Sequence, residues 1–74
     1  MRKKEEFLTD RDLDVLKQVV LGYSNKQIGK MLFITHHTVK AHLTQIFKKL
    51  GVTNRTAAAI KGKEIIHPQD SKQP

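Results

Sequence analysis

The sequence predicts an all-α domain of four helices, and three observations carry that expectation. Apolar residues recur at three- and four-residue spacings over most of the 74-residue chain, which puts them on one face of a helix. Capping residues open each such run, at Thr9, Ser24, Thr35 and Asn54, and Gly22, Gly51 and Pro68 stand where runs end. No stretch reads as strand, and no internal repeat is evident.

The first helix is expected from about Asp10 to Leu21. Thr9 supplies a hydroxyl cap, and Asp10 and Asp12 suit the positive end of the helix dipole. Leu13, Leu16, Val20 and Tyr23 form its apolar stripe, Val19 widens it, and Gly22 stops it. Ser24 opens a second helix of about two turns, with Gln27 placed to complete a capping box. Ile28, Met31 and Leu32 give that helix one apolar edge.

Only Phe33 and Ile34 separate this run from the next cap, Thr35, a connection that suits two helices meeting at a steep angle. The third helix is expected from about His36 to Leu50. Val39, Leu43, Ile46, Phe47 and Leu50 fall in one arc. Opposite them lie His37, Ala41, Thr44, Gln45 and Lys48, with Lys40 at the edge. The fourth helix starts after Asn54 and runs through Ala57, Ala58, Ala59 and Ile60 toward Ile66, with Gly62 as a weak point costing about 1 kcal/mol against alanine. The expected organisation is a flexible terminus over 1–7, one domain over 8–67 and a polar tail over 68–74.

Composition bounds the function. Formal net charge is +7, yet no Asp or Glu occurs between Val15 and Lys63, a window holding nine Lys/Arg and three His. A surface cleared of negative charge suits a polyanion. Charge alone also admits an anionic membrane surface or an acidic protein. There is no cysteine, so disulfides and Cys-type zinc sites are excluded. No run approaches the roughly 18 apolar residues of a membrane span, and Glu5-Glu6 stand where a signal peptide needs an apolar stretch. A cytoplasmic setting is expected.

A steep helix pair with a polar outer face on its second member is a helix-turn-helix. A B-DNA major groove is about 12 Å wide and admits one helix whose outer side chains are short or flexible. His37, Lys40, Ala41 and Thr44 meet that requirement. Lys40 can donate to guanine O6 and N7, while Ala41 and the Thr44 methyl can touch a thymine methyl. Phosphates are expected at the start of the second helix beside Asn25 and Lys26, at the hydroxyls of Thr35 and Thr38, and at Lys48, Lys49 and Arg55.

Three segments carry a resemblance: LTDRDLDVL (Leu8 to Leu16), GYSNKQIGKMLFI (Gly22 to Ile34) and THHTVKAHLTQIFKKLGVTNR (Thr35 to Arg55). In this order and spacing they resemble the LuxR/FixJ-type helix-turn-helix of bacterial transcription factors, over roughly Leu8 to Ile66. The chain is most similar to the GerE-like, stand-alone members. The resemblance implies a four-helix DNA-binding domain, with helix three in the major groove and helix four at a homodimer interface. It places phosphates near Asn25, Lys26, Thr38 and Lys48 and bases near Lys40, Ala41 and Thr44. Candidate dimer contacts are Ile60, Ile65 and Ile66, with packing inside the chain the competing role for Ile60. Such a regulator has double-stranded DNA as its partner and RNA polymerase as a further one.

The chain departs from the family pattern in three places. Asp12 and Asp14 stand where glutamates are frequent. Gly29 replaces a usual alanine, which is expected to weaken helix two. His36 and His37 replace polar or acidic residues after the third cap, which bears on operator preference.

Catalysis has no support: no Ser-His-Asp set, carboxylate pair or Gly-rich phosphate loop occurs, and no cofactor is expected. His37 and His42 are five apart, off the i, i+4 spacing of a two-histidine metal site. Both are expected at the surface, His42 flanking the apolar arc and His37 able to meet a phosphate when protonated. The competing non-enzyme reading is a helix-turn-helix adaptor for an acidic partner. Docking faces are enriched in large apolar anchors, which the arc from His37 to Lys48 lacks.

Overall fold

The computed structural model describes residues 8–66, so the expected chain ends and the helix stop at Pro68 lie outside the described residues. Four helices follow in order: α1 (Asp10–Val20), α2 (Asn25–Leu32), α3 (His36–Leu50) and α4 (Arg55–Ile66), with no strand among the described residues.

Each helix begins where a side chain satisfies its first unpaired N–H groups. Thr9 Oγ1 accepts from the Asp12 N–H at 3.0 Å while the Thr9 N–H donates back to Asp12 Oδ2 at 3.2 Å. Ser24 and Gln27 form the same reciprocal box, at 3.2 and 2.8 Å. Thr35 Oγ1 accepts from the Thr38 N–H at 3.1 Å, and Asn54 Oδ1 from the Ala57 N–H at 2.8 Å. Such caps are worth about 1 kcal/mol each.

The helix ends are equally local. α1 closes at Val20, with Leu21 as its cap, one residue before the expected end. Gly22 then turns the chain at φ +92°, and Gly51 does so after α3 at φ +71°. Between α2 and α3 the turning residue is Phe33, which adopts φ +61° and is 93% exposed. Its conformation lets the Ile34 N–H return to the Gly29 carbonyl at 2.9 Å.

One apolar core runs through the bundle. α1 contributes Val15, Leu16 and Val19, α2 Ile28, α3 Val39, Leu43, Ile46 and Leu50, and Leu8 closes one end. Fully burying one such side chain is worth roughly 1.5–3 kcal/mol. Two expected stripe members lie outside. Tyr23 follows the break at Gly22, leaves the helical phase and is exposed, and Met31 at the rim of α2 is exposed as well.

Two glycines mark close approaches. A Cβ at Gly29 would come within 2.6 Å of the Ile34 carbonyl oxygen, so the bare backbone lets the turn close on α2. The glycine expected to weaken α2 is thus the position on which the turn packs. A Cβ at Gly62 would lie 2.9 Å from Leu16 Cγ and Cδ1 and from Val20 Cγ2. Gly62 is buried between α4 and α1, and α4 continues through it to Ile66.

Candidate nucleic-acid interface

The core stripe of α3 fixes which residues remain outside. With Val39, Leu43, Ile46 and Leu50 buried, His36, His37, Lys40, Ala41, Thr44, Gln45 and Lys48 are exposed. Thr44 Oγ1 donates to the Lys40 carbonyl at 3.1 Å, which uses its proton inside the helix. Its oxygen lone pairs and methyl remain available. His36 and His37 pack ring against ring at 4.2 Å, tilted by 34°. Thr38, Ala41, His42 and Gln45 line a shallow recess along one flank.

The expected phosphate ligands divide into two groups. Lys26 and Lys48 are exposed and form no ion pair among the described residues. Thr35 and Thr38 are exposed at the start of α3, their hydroxyls 3.0 Å apart. Lys49, Arg55 and Asn25 are engaged within the chain. Lys49 Nζ lies 2.7 Å from Asp12 Oδ2. Arg55 Nη1 donates to Asn25 Oδ1 at 2.7 Å, and Nη2 donates to the Tyr23 carbonyl. That fork ties the start of α4 to the start of α2. Lys49 and Arg55 are expected at phosphates for their charge, but each meets a strong acceptor from a distant segment.

Asp12 is the residue that the sequence reading missed. Read there as a dipole partner at the helix end, it is 3% exposed and joins α1 to α3 through Lys49 and His42. His42 Nδ1 sits 3.2 Å from its Oδ1. Burial pushes the Asp12 carboxyl upward. Hydrogen bonds from Lys49, the Thr9 N–H and His42, with the charge of Lys49, outweigh that and hold it below the ordinary carboxylate value. The Thr9–Asp12 spacing was the available signal for the cap, but nothing local announced the partners 30 and 37 residues away. Among the described residues no three metal-ligating side chains converge.

The candidate dimer contacts also separate. Ile60 is 58% exposed, whereas Ile65 and Ile66 are half-buried and pack against the core. Among the described residues no helix is long and apolar enough to cross a membrane.

Residue-level similarity places the chain among known proteins. Residues 6–61 match the family model GerE, described as bacterial regulatory proteins of the luxR family. The nitrate/nitrite response regulator protein homolog of Haemophilus influenzae is 49% identical over 53 residues, covering 72% of this chain and 26% of that protein. Transcriptional regulatory protein LiaR of Bacillus subtilis is 51% identical over 55 residues, covering 74% and 26%. The nitrate/nitrite response regulator protein NarP of Escherichia coli is 49% identical over 53 residues, covering 72% and 25%. The chain thus spans about a quarter of the length of these relatives. With its four helices, capped turn and acid-free outer helix face, the chain belongs to the luxR family of bacterial regulatory proteins and is a helix-turn-helix DNA-binding domain of that family.

Proposed function

We propose that the chain regulates transcription by seating α3 in the major groove of a specific duplex, as a homodimer on a pseudo-palindromic site. The single observation that carries this reading is the exposed arc of α3. It presents Lys40, Ala41 and Thr44 outward from a helix whose other side is anchored in the core. One cationic donor beside two small side chains suits close approach to base edges. His37 stands at the leading turn as a fourth base-facing group.

Phosphates are assigned to Lys26, Thr35, Thr38 and Lys48, with the N–H groups at the start of α2 beside Asn25. Lys49 and Arg55 contribute mainly by holding α3 and α4 in place, and reach phosphate only with whatever donor capacity their internal partners leave. A two-fold dimer through Ile60, with Ile65 and Ile66 beside it, sets half-site centres about one helical turn, or a multiple, apart. A cytoplasmic location at the nucleoid and contact with RNA polymerase belong to the same reading.

Substitutions separate the roles. Lys40→Ala is expected to cost about 1–3 kcal/mol on the preferred site and little on random duplex. Lys48→Ala is expected to weaken all duplexes alike and to reduce the salt slope by about one. Fluorescence anisotropy on both DNAs tests this, and identical behaviour of the two variants would refute the division. The preferred duplex comes from selection out of random DNA, which also returns symmetry and spacing. A selected site without two-fold symmetry would count against the dimer.

A further inference from the structure

His42 stands on the flank of α3 and belongs to neither set of proposed DNA contacts. Its Nδ1 faces Asp12 Oδ1 at 3.2 Å, and the other carboxylate oxygen of Asp12 is held by Lys49 Nζ at 2.7 Å. An ionised carboxylate only accepts, so Nδ1 carries a proton and donates to it. In the neutral ring this leaves Nε2 as a bare acceptor. No described group hydrogen-bonds Nε2, and no buried side-chain nitrogen or oxygen among the described residues lacks a partner. The His42 side chain as a whole is 27% exposed. His42 also lines the shallow, open recess that it shares with Thr38, Ala41 and Gln45.

We propose that His42 is a proton-linked phosphate ligand: a DNA phosphate in this recess, beside Thr38, accepts from Nε2–H of the protonated ring. The inference rests on the DNA-reading role assigned to α3 above. A phosphate oxygen is an acceptor and meets a bare Nε2 as a repulsive pair, whereas a second ring proton turns Nε2 into a charge-assisted donor. The imidazolium then lies between two anions, Asp12 behind it and the phosphate in front. Among the described residues, the charged groups joined to this cluster are Asp12 from α1 and Lys49 from α3. Lys49 is paired with the far carboxylate oxygen. Binding thus loads a proton onto His42, and affinity falls as pH rises through the range in which imidazole titrates.

His36 and His37 also carry imidazoles, at the start of α3, so the experiment must separate them. Anisotropy titrations use one fluorescein-labelled random duplex at constant ionic strength, between about pH 6 and 8. The wild-type chain, the His36→Gln/His37→Gln double variant and His42→Gln are compared. Wild type and the double variant are expected to lose affinity with rising pH, by up to about tenfold per pH unit at the steepest. His42→Gln is expected to bind like wild type at the high end and to lose the pH dependence. The glutamine amide can still donate to Asp12, and thermal melts check that the fold is kept. Retention of the full pH dependence in His42→Gln, or its loss in the double variant alone, overturns the proposal. In the unmodified protein, the NMR titration midpoint of the His42 ring must rise when duplex is added, and an unchanged midpoint also overturns it. Absence of binding to any duplex at any pH would instead bring down the DNA reading on which the proposal rests.

Discussion

α3 and α4 are the two longest helices, and their inner faces are built in opposite ways. α3 buries large side chains, Val39, Leu43, Ile46 and Leu50, and so stands its polar arc clear of the body. α4 buries Ala58 and Gly62, drawing its backbone close to α1, while its isoleucines stay exposed or half-buried. Large inward residues make a helix that presents a face; small inward residues make a clamp. One face of α3 is thereby left exposed while α4 packs closely on α1.

The comparison breaks most readily at the joint between α1 and α3. Asp12→Ala removes the acceptor of Lys49 and His42 together with half of the Thr9 box. We expect a loss of about 2–3 kcal/mol, below the 3–5 of a fully buried pair because Lys49 can turn to solvent. Urea denaturation measures it. The same group predicts a pH dependence. Its folded carboxyl lies below the ordinary value, so the folded state holds the proton less tightly than the unfolded chain. The stability it contributes is fully present above the unfolded value of about 3.9, and is lost as pH falls through the lower folded one. Asp12→Asn should flatten that part of the acid unfolding profile, and an unchanged profile would contradict the assignment.

The clamp is tested next. Gly62→Val places methyl groups where even a Cβ meets Leu16 and Val20 at 2.9 Å. Overpacking of this kind costs about 1–3 kcal/mol, so a thermal melt should drop clearly. A neutral or stabilising outcome, driven by helix propensity, would show that α4 does not bear on α1 in this way. The smallest effect is expected in the turn before α3. Phe33→Asn replaces an exposed aromatic at φ +61° with a residue that tolerates the left-handed region. We expect a gain of about 1 kcal/mol at most by urea denaturation; a loss would mean that the Phe33 ring supports the fold.

The contrast between these helices also explains what could be read from sequence. α3 was legible because large apolar residues at helical spacing, a threonine cap and a terminal glycine all point the same way. Its exposed arc followed by subtraction. α4 was legible in extent but not in orientation, since alanine and glycine carry almost no periodic signal and Ile60 faces outward. Asp12, Lys49 and Arg55 resist sequence reading for a different reason. Their partners lie 30 to 37 residues away, and local charge patterning shows which groups are charged without showing which of them meet.

The central claim is that the arc of α3 enters a duplex, and amide NMR of the labelled chain titrated with the selected duplex at low ionic strength tests it directly. The largest shifts are expected at Lys40, Ala41 and Thr44, with smaller ones at Lys26 and Thr38 and little change along the α1-facing side of α4. Shifts concentrated on α4 with the α3 arc unmoved, or no shifts at saturating duplex, would contradict the account.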